Sequence, residues 1–352
     1  IAQLPESFTS VINNTTTTAE LNAYQQSNPS SLTGNKWGDV AVSTALNVGS
    51  SVAAGYASAK LQEGDPRGVD APLMNESKDS LGALQIYAAQ NNFDISDIYG
   101  FGTAESILAA GLGANCKDAI IATKFGLRQD NLGTVVRDCS PEWLDEALHA
   151  SLRRLNIDHI PIYLIHWYDE KTQLDELVNA LNNYKAQGKI GRFGVCNFSQ
   201  SQYHEFCSLG GDNSLQLPFS LVDTSFSASL QEASKDKSSL TMAYDVLGRG
   251  ILTGKYSNSS TFSGTDTRSG HKYFEGESLI KNLKLVEKLE GIASNHGVSP
   301  AQVAIRWVIN MGFVDVTLVG CKTPEQVLAN VDIFNFDMTE SDMKVLSELA
   351  NH

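Results

Sequence analysis

From about Trp37 to the C-terminus, the hydrophobic positions of the chain alternate between two spacings. Short unbroken apolar runs such as 119–123 are typical of strands that are buried on both faces. The leucines of 141–155 instead recur along one side of a helix. That helix is predicted to begin at Ser140-Pro141, because serine is a favoured N-cap and proline fits the first helical turn.

Eight strand–helix units are predicted in series. The predicted strands cover about 40–48, 93–96, 119–123, 160–165, 191–195, 215–221, 240–244 and 316–319. The predicted helices cover about 77–89, 103–110, 140–155, 174–186, 200–207, 279–295, 299–310 and 341–350, with another opening at Thr323 and a large loop over 255–277. Such a series implies parallel strands joined by right-handed crossovers. Since no G-x-G-x-x-G follows the first strand, we predict an α/β fold of the TIM-barrel class, a (β/α)8 barrel, and not an open dinucleotide-binding sheet.

Residues 1–36 differ in composition from the rest of the chain. They are rich in Ser, Thr, Asn and Gln and include four consecutive threonines, Thr15–Thr18. We interpret this stretch as an N-terminal extension, either a targeting remnant or an arm that docks on a protein partner, and 37–352 as one barrel domain. Because the sequence begins at Ile1, we interpret it as processed or trimmed and expect a cytoplasmic protein, with an organelle such as a plastid as the alternative.

Composition narrows the classes of partner. The 352 residues suit one α/β barrel, and the net charge of −14 without a basic stripe argues against nucleic acid or anionic lipid as a ligand. No apolar run reaches the ~18 residues of a membrane-spanning helix, so membrane insertion is not expected. The five cysteines are scattered without C-x-x-C or zinc spacing, which predicts reduced, mostly buried thiols and no metal site.

Four side chains at predicted strand ends form a chemically sensible set: Asp94, Tyr99, Lys124 and His166. In a barrel, reactive residues lie at the carboxyl ends of the strands. Reduction of a carbonyl needs a proton donor at the oxygen, and a neighbouring ammonium makes a phenol a better donor. A carboxylate can hold that ammonium in place, and an imidazole can polarise the carbonyl oxygen. This chemistry requires no metal.

Motifs along the chain resemble those of the aldo-keto reductase superfamily, in the same order and over about Asp39 to the C-terminus. The matching segments are DISDIYG (94–100), IATKFG (121–126), SLRRL through HW (151–167), GKIGRFGVCNFS (188–199), AYDVLGRGILTGKY (243–256) and GCKTPEQVLAN (320–330). The resemblance implies that Tyr99 is the general acid, or the base in the oxidative direction. It also implies that Lys124 and Asp94 tune Tyr99 and that His166 orients the carbonyl of a small-molecule aldehyde, ketone or alcohol.

The resemblance further implies a nicotinamide cofactor, NADPH by family preference, with NADH as the alternative. Its implied contacts are Asn197 and Gln216 at the carboxamide, Tyr244 stacked on the nicotinamide ring, Leu247 and Gly248 at the pyrophosphate, and Lys322, Gln326 and Asn330 at the adenosine end.

The chain departs from the family pattern at several positions, including Ile95-Ser96, which replaces Thr-Ala. Two departures, Cys196 and Asp245 where serine is usual, keep a second hypothesis open together with the Ser/Thr/Asn-rich N-terminal stretch. The alternative is therefore a non-catalytic or weakly active accessory subunit, which cofactor binding would distinguish from an enzyme. Substrate specificity is expected to come from the loops at 126–134, 167–171 and 255–277.

Overall fold

A computed structural model describes residues 92–264, 266–321 and 323–350 of the chain. The predicted extension 1–36, the predicted first strand and the helix at 77–89 lie outside the described residues, as does Lys322.

The described part is organised around one parallel sheet. Its strands are β1 (Asn92–Asp94), β2 (Ile120–Phe125), β5 (Ile160–Ile165), β6 (Ile190–Cys196), β7 (Ser214–Pro218), β8 (Leu240–Tyr244) and β9 (Val316–Thr317). They lie side by side in that order, and every neighbouring pair is parallel. The α/β alternation and the parallel strands predicted from the sequence are confirmed.

Helices follow the strands along the chain. They are α1 (Thr103–Leu112), α2 (Pro141–Leu155), α3 (Leu174–Ala186), α4 (Gln200–Ser208), α5 (Ser227–Ala233), α6 (Gly276–His296), α7 (Pro300–Ile309), α8 (Pro324–Val331) and α9 (Glu340–Ala350). The predicted N-cap is confirmed, because Ser140 Oγ accepts a hydrogen bond of 3.2 Å from the backbone N–H of Trp143. No helix among the described residues is both long and apolar enough to cross a membrane.

Three features differ from the predicted elements. The loop expected after β2 contains an antiparallel hairpin of β3 (Leu127–Gln129) and β4 (Val135–Arg137). Helix α5 was not predicted, and the expected loop at 255–277 ends in a 3₁₀ turn, Lys272–Phe274, followed by α6. The hairpin strands are too short for an alternating pattern. Their turn is held instead by Asp130 Oδ1, which accepts from the backbone N–H groups of Leu132 and Thr134 at 2.8 and 2.9 Å.

The two faces of the sheet pack differently. Leu164, Met242 and Leu318 form a small buried cluster of their own, separate from the large core that the helices share with the sheet. Lys124 is in register with Leu164, and Thr123 is in register with Tyr163 of the large core. Successive residues of β2 therefore point alternately to the small cluster, on what we call the inner face of the sheet, and to the helices on its outer face.

Candidate active site

The predicted polar residues collect at the carboxyl ends of the parallel strands. In chain order these positions are Asp94 at the end of β1, Lys124 in β2, His166 after β5, Asn197 after β6, Gln216 in β7 and Tyr244 at the end of β8. Parallel strands bring their carboxyl ends to one side of the sheet, so residues far apart in sequence meet there.

Lys124 and Asp94 form a buried ion pair. Lys124 Nζ lies 2.7 Å from Asp94 Oδ2 and donates to the carbonyl oxygen of Ile95 at 2.9 Å. The other carboxylate oxygen of Asp94 accepts from Gln216 Nε2 at 2.8 Å. Burial lowers the pKa of Lys124, but the charge and hydrogen bond of Asp94, together with Tyr99 and Cys196, outweigh burial and raise that pKa above its ordinary value. The ammonium is therefore charged and fixed in position.

Tyr99 lies beside this ammonium and beside His166. Lys124 Nζ is 5.6 Å from the centroid of the Tyr99 ring, and the Tyr99 and His166 rings meet edge to face with centroids 5.7 Å apart. Burial, together with the charge of Lys124, lowers the pKa of His166 well below its ordinary value. The imidazole is therefore neutral at physiological pH, and the phenol has a cation and a neutral ring as neighbours.

Ser96 connects His166 to a carboxyl group that sequence reasoning did not include in the site. Ser96 Oγ lies 3.1 Å from His166 Nδ1 and also 3.1 Å from Asp97 Oδ1, and all three side chains are buried. The sequence marked Ser96 only as a departure from the family pattern. Nothing in the spacing indicated its contact with a residue 70 positions away.

Asn197 is held at the centre of a second network. Its φ of 62° is in the left-handed region, which asparagine tolerates better than most residues. Tyr244 donates to Asn197 Oδ1 at 2.6 Å, and Asn197 Nδ2 donates to the backbone oxygen of His166 at 3.1 Å and to Cys196 Sγ at 3.2 Å. The Cys196 thiol in turn donates to Gln216 Oε1 at 3.5 Å. The cysteine that replaces the usual serine therefore keeps the two amides linked.

These amides fit the carboxamide of a nicotinamide. An amide oxygen has two lone pairs, and the hydrogen bonds above use one on Asn197 and one on Gln216. A carboxamide NH₂ group could donate to the remaining lone pairs. Burial and the charge of Asp94 keep the neighbouring Cys196 a neutral thiol, with a pKa of about 12 despite the opposing charge of Lys124.

The turn after β8 explains how a carboxylate is accommodated next to a proposed phosphate site. Asp245, with φ 55°, turns its Oδ1 toward the backbone N–H of Arg249 at 2.8 Å, so the carboxylate is engaged within its own turn. Burial raises the pKa of Asp245. Gly248 has φ 54°, and a Cβ there would come within 2.5 Å of a Val222 methyl, so only glycine fits.

Two of the residues implied at the adenosine end, Gln326 and Asn330, lie in the part of the chain that the structure describes, both on α8. Gln326 is exposed on α8, and its backbone N–H bonds to Thr323 Oγ1 at 3.4 Å. Asn330 is buried and donates to Cys321 Sγ at 3.1 Å. Leu247 is half-buried directly before Gly248, and Lys322 lies outside the described residues.

Comparison with known proteins assigns the family. The model of the aldo/keto reductase family matches residues 74–351. The solved structure of a glycerol dehydrogenase from Gluconobacter oxydans is 30% identical, covers 81% of this chain and 86% of its own, and superposes with a TM-score of 0.69. The NADH-specific methylglyoxal reductase of Escherichia coli is 26% identical over 74% of this chain and 83% of its own. An aldo-keto reductase of Schizosaccharomyces pombe named for NADP(+) is 27% identical over 74% of this chain and 78% of its own.

The chain therefore belongs to the aldo/keto reductase family. It is an NAD(P)-dependent oxidoreductase with the (β/α)8 barrel fold of that family, so the predicted fold class and the enzymatic hypothesis are confirmed. Members of the family act on small carbonyl substrates.

Proposed function

We propose that this protein reduces the aldehyde or ketone group of a small polar molecule, or oxidises the corresponding alcohol, with Tyr99 as the proton donor. The observation that carries the proposal is the buried ion pair of Lys124 and Asp94 beside the ring of Tyr99. A fixed cation next to a phenol stabilises the phenolate that remains after proton transfer.

The reaction needs a hydride at the carbonyl carbon and a proton at the oxygen. The reduced nicotinamide, when bound, supplies the hydride. Tyr99 O–H donates the proton, and the charge of Lys124 stabilises the resulting phenolate. His166 is neutral and hydrogen-bonds the carbonyl oxygen through an imidazole N–H, which polarises the C=O bond. In the oxidative direction, the Tyr99 phenolate accepts the proton of the alcohol.

For the cofactor, we propose that Asn197 and Gln216 hold the carboxamide and that the half-buried ring of Tyr244 stacks on the nicotinamide. Leu247 and Gly248 would line the pyrophosphate in the turn after β8. At the adenosine end, the proposed contacts are Lys322, Gln326 and Asn330. Asn330 is the weakest of these, because its amide is already bonded to Cys321 inside the core.

NADPH is the proposed cofactor, with NADH as the competitor. The names of two relatives divide on this point, since one specifies NADP(+) and the other is NADH-specific. The names of two relatives also guide the choice of substrate. One is a glycerol dehydrogenase and the other a methylglyoxal reductase, so three-carbon aldehydes and polyols are the first candidates.

The test has two arms. Titration of the purified protein with NADPH and with NADH, followed by quenching of intrinsic Tyr and Trp fluorescence, should give saturable binding that is tighter for NADPH. Turnover is then measured with methylglyoxal for reduction and with glycerol for oxidation. Binding of neither cofactor would overturn the proposal. Tighter binding of NADH would reverse the cofactor preference but keep the reaction.

A further inference from the structure

A buried chain of hydrogen-bonding groups runs from Asp97 through Ser96 to His166. Ser96 Oγ is 3.1 Å from Asp97 Oδ1 on one side and 3.1 Å from His166 Nδ1 on the other. Ser96 is completely buried, with 0% of its surface exposed, so water does not compete for its hydroxyl. The imidazole is therefore tied to a carboxyl group through a single O–H.

The number of protons available allows two alternative states of the hydrogen bonds that link Asp97, Ser96 and His166. A serine hydroxyl has one proton, so Ser96 can donate to only one of its two neighbours. If Asp97 is ionised, it can only accept, so Ser96 donates to it and accepts from an N–H at His166 Nδ1. If Asp97 is protonated, it donates to Ser96 Oγ, and Ser96 donates to an unprotonated Nδ1.

Each state fixes a different tautomer of the imidazole. A neutral imidazole has one N–H, so a proton on Nδ1 leaves Nε2 bare, and an unprotonated Nδ1 puts the proton on Nε2. His166 is neutral, because burial and the charge of Lys124 lower its pKa well below the ordinary value. With Nδ1 occupied by Ser96, Nε2 is the ring nitrogen left for a substrate.

We propose that Ser96 and Asp97 are positioning residues that set the tautomer of His166. Protonated Asp97 places the imidazole proton on Nε2, where it can hydrogen-bond a carbonyl oxygen. Ionised Asp97 moves that proton to Nδ1, and the bare Nε2 can then accept from the hydroxyl of an alcohol. The catalytic consequence rests on the proposed function, because it requires His166 to contact the substrate oxygen.

The surroundings of Asp97 put its ionisation in the range where the enzyme can be assayed. Burial and the charge of Glu105 on α1 raise its pKa, while the Ser96 hydroxyl and Arg154 on α2 lower it, and the balance is a pKa of about 8. Tyr163 of β5 also faces this group, and the charge of Asp97 contributes to raising the pKa of the Tyr163 phenol above its ordinary value.

On the imidazole side, the facing charged and titratable groups are Lys124 of β2 and Tyr99. Lys124 is paired with Asp94 of β1 and remains a cation throughout this range, because its pKa is raised. Lys124 therefore contributes a constant field at His166, and the variable group in the chain is Asp97. Tyr99 can also give a pH-dependent rate, so the tautomer has to be observed directly.

The experiment is NMR of the full chain labelled with ¹⁵N-histidine, recorded well below and well above the pKa of Asp97. The protein has seven histidines, and His166→Gln identifies the resonances of His166 by their loss. In the wild type, the protonated nitrogen should change from Nε2 to Nδ1 as the pH rises. In Asp97→Asn and in Ser96→Ala, the tautomer should no longer depend on pH.

Ser106→Ala is the matched control. Ser106 lies on α1 and donates to the backbone oxygen of Gly102 at 3.2 Å, outside the chain from Asp97 to His166. This variant should behave like the wild type. A single tautomer of His166 at every pH in the wild type would overturn the proposal. The same pH-dependent switch in Ser96→Ala would also overturn it.

Kinetics separate this proposal from the proposed function. In the wild type, kcat for reduction should fall roughly tenfold across the transition, the loss of one hydrogen bond to the reacting oxygen, with a smaller change in KM. In Asp97→Asn, kcat should no longer fall over this pH range. A tautomer switch without any change in rate would support the control of the His166 tautomer by Ser96 and Asp97, and would refute contact between His166 and the substrate oxygen. Activity that depends on Tyr99 without a tautomer switch would refute only the control of the His166 tautomer, and the proposed function would stand.

Discussion

Two ion pairs of similar geometry lie on opposite faces of strand β2. On the inner face, Lys124 Nζ is 2.7 Å from Asp94 Oδ2. On the outer face, Arg154 is 2.7 Å from Glu105 Oε2, and Thr123 donates to the other oxygen of Glu105 at 2.6 Å. Both carboxylates are buried, and both pairs tie separate elements together.

The two pairs differ in what surrounds them. The inner pair has the half-buried phenol of Tyr99 as its neighbour, at the carboxyl ends of the strands. The outer pair links α1 to α2 and to the sheet, between the sheet and its helices. A buried ion pair is thus not by itself a sign of catalysis. The access of a reactive group to substrate distinguishes the two.

The largest effect on the inner region is expected from Tyr99→Phe. Removal of the phenol oxygen should lower kcat by roughly 10²–10⁴-fold, because the proton donor is lost. Cofactor affinity and the melting temperature should stay close to wild type. Steady-state kinetics measure kcat, fluorescence titration measures cofactor affinity, and thermal unfolding measures the melting temperature. Full activity in the variant would exclude Tyr99 as the donor.

The outer region is tested by Arg154→Met. This change leaves the Glu105 carboxylate buried without its partner, which should lower the free energy of unfolding by about 3–5 kcal/mol. Urea unfolding measures the loss, and kcat of the folded fraction at neutral pH should stay within about twofold of wild type, less than the effect of one lost hydrogen bond.

Lys124→Met is the matched substitution on the inner face. It should lower kcat for reduction strongly, although by less than Tyr99→Phe because the proton donor remains, even under conditions in which the variant remains folded. If Arg154→Met lost catalysis to the same extent while folded, the distinction between the two faces would be wrong.

A smaller effect is expected from Asn197→Ala. Loss of its side-chain amide should weaken NADPH and NADH binding by roughly 10–100-fold, equivalent to one or two hydrogen bonds. Because Asn197 has a left-handed backbone, Asn197→Gly separates loss of the amide from backbone strain. Fluorescence titration measures both, and Asn182→Ala, at an exposed asparagine bonded to the backbone of Gly210, should bind like the wild type. Unchanged affinity in both Asn197 variants would refute the carboxamide site.

The last prediction concerns the pH dependence of stability. The folded-state pKa of Asp97 is raised to about 8, so between its ordinary value and that pH the folded protein binds more protons than the unfolded chain. The stability contributed by the protonated group is therefore complete below the ordinary pKa of an aspartate and is lost as the pH rises toward 8. Asp97→Asn should be more stable than wild type by an amount that grows as the pH rises toward 8, because the asparagine amide does not ionise. Urea unfolding at a series of pH values measures the difference, and parallel pH curves for the two proteins would contradict it.

Much of the fold could be predicted from the sequence, because strands and helices of sufficient length have clear hydrophobic periods. The strand at 160–165 and the helix at 174–186 were predicted with the bounds that the structure has. The hairpin of β3 and β4 was not, since its strands have three residues each and their pairing depends on the contacts of Asp130. Helix α5 has only seven residues, which is too few to show a periodic pattern.

The site could be predicted only where a motif carried it. Asp94, Tyr99, Lys124 and His166 were chosen from strand ends and from family resemblance, and the structure brings their side chains together. Ser96 could not be assigned in this way, because its contact with His166 spans 70 positions and depends on how β1 and β5 are placed in the sheet. The reaction roles of Asp94, Tyr99, Lys124 and His166 remain predictions.

The reactivity of the cysteines can be used to measure local, transient opening of the structure. All five are free thiols, four are buried and Cys207 is half-buried, and burial raises the pKa of every one. Alkylating reagents attack the thiolate, so each buried sulfur reacts only when its surroundings open transiently. Because these thiols are distributed from 116 to 321, site-resolved labelling rates would report local opening free energies along the barrel without any introduced label. Protection of Cys196 by bound cofactor would then measure how strongly ligand binding rigidifies the centre of the barrel.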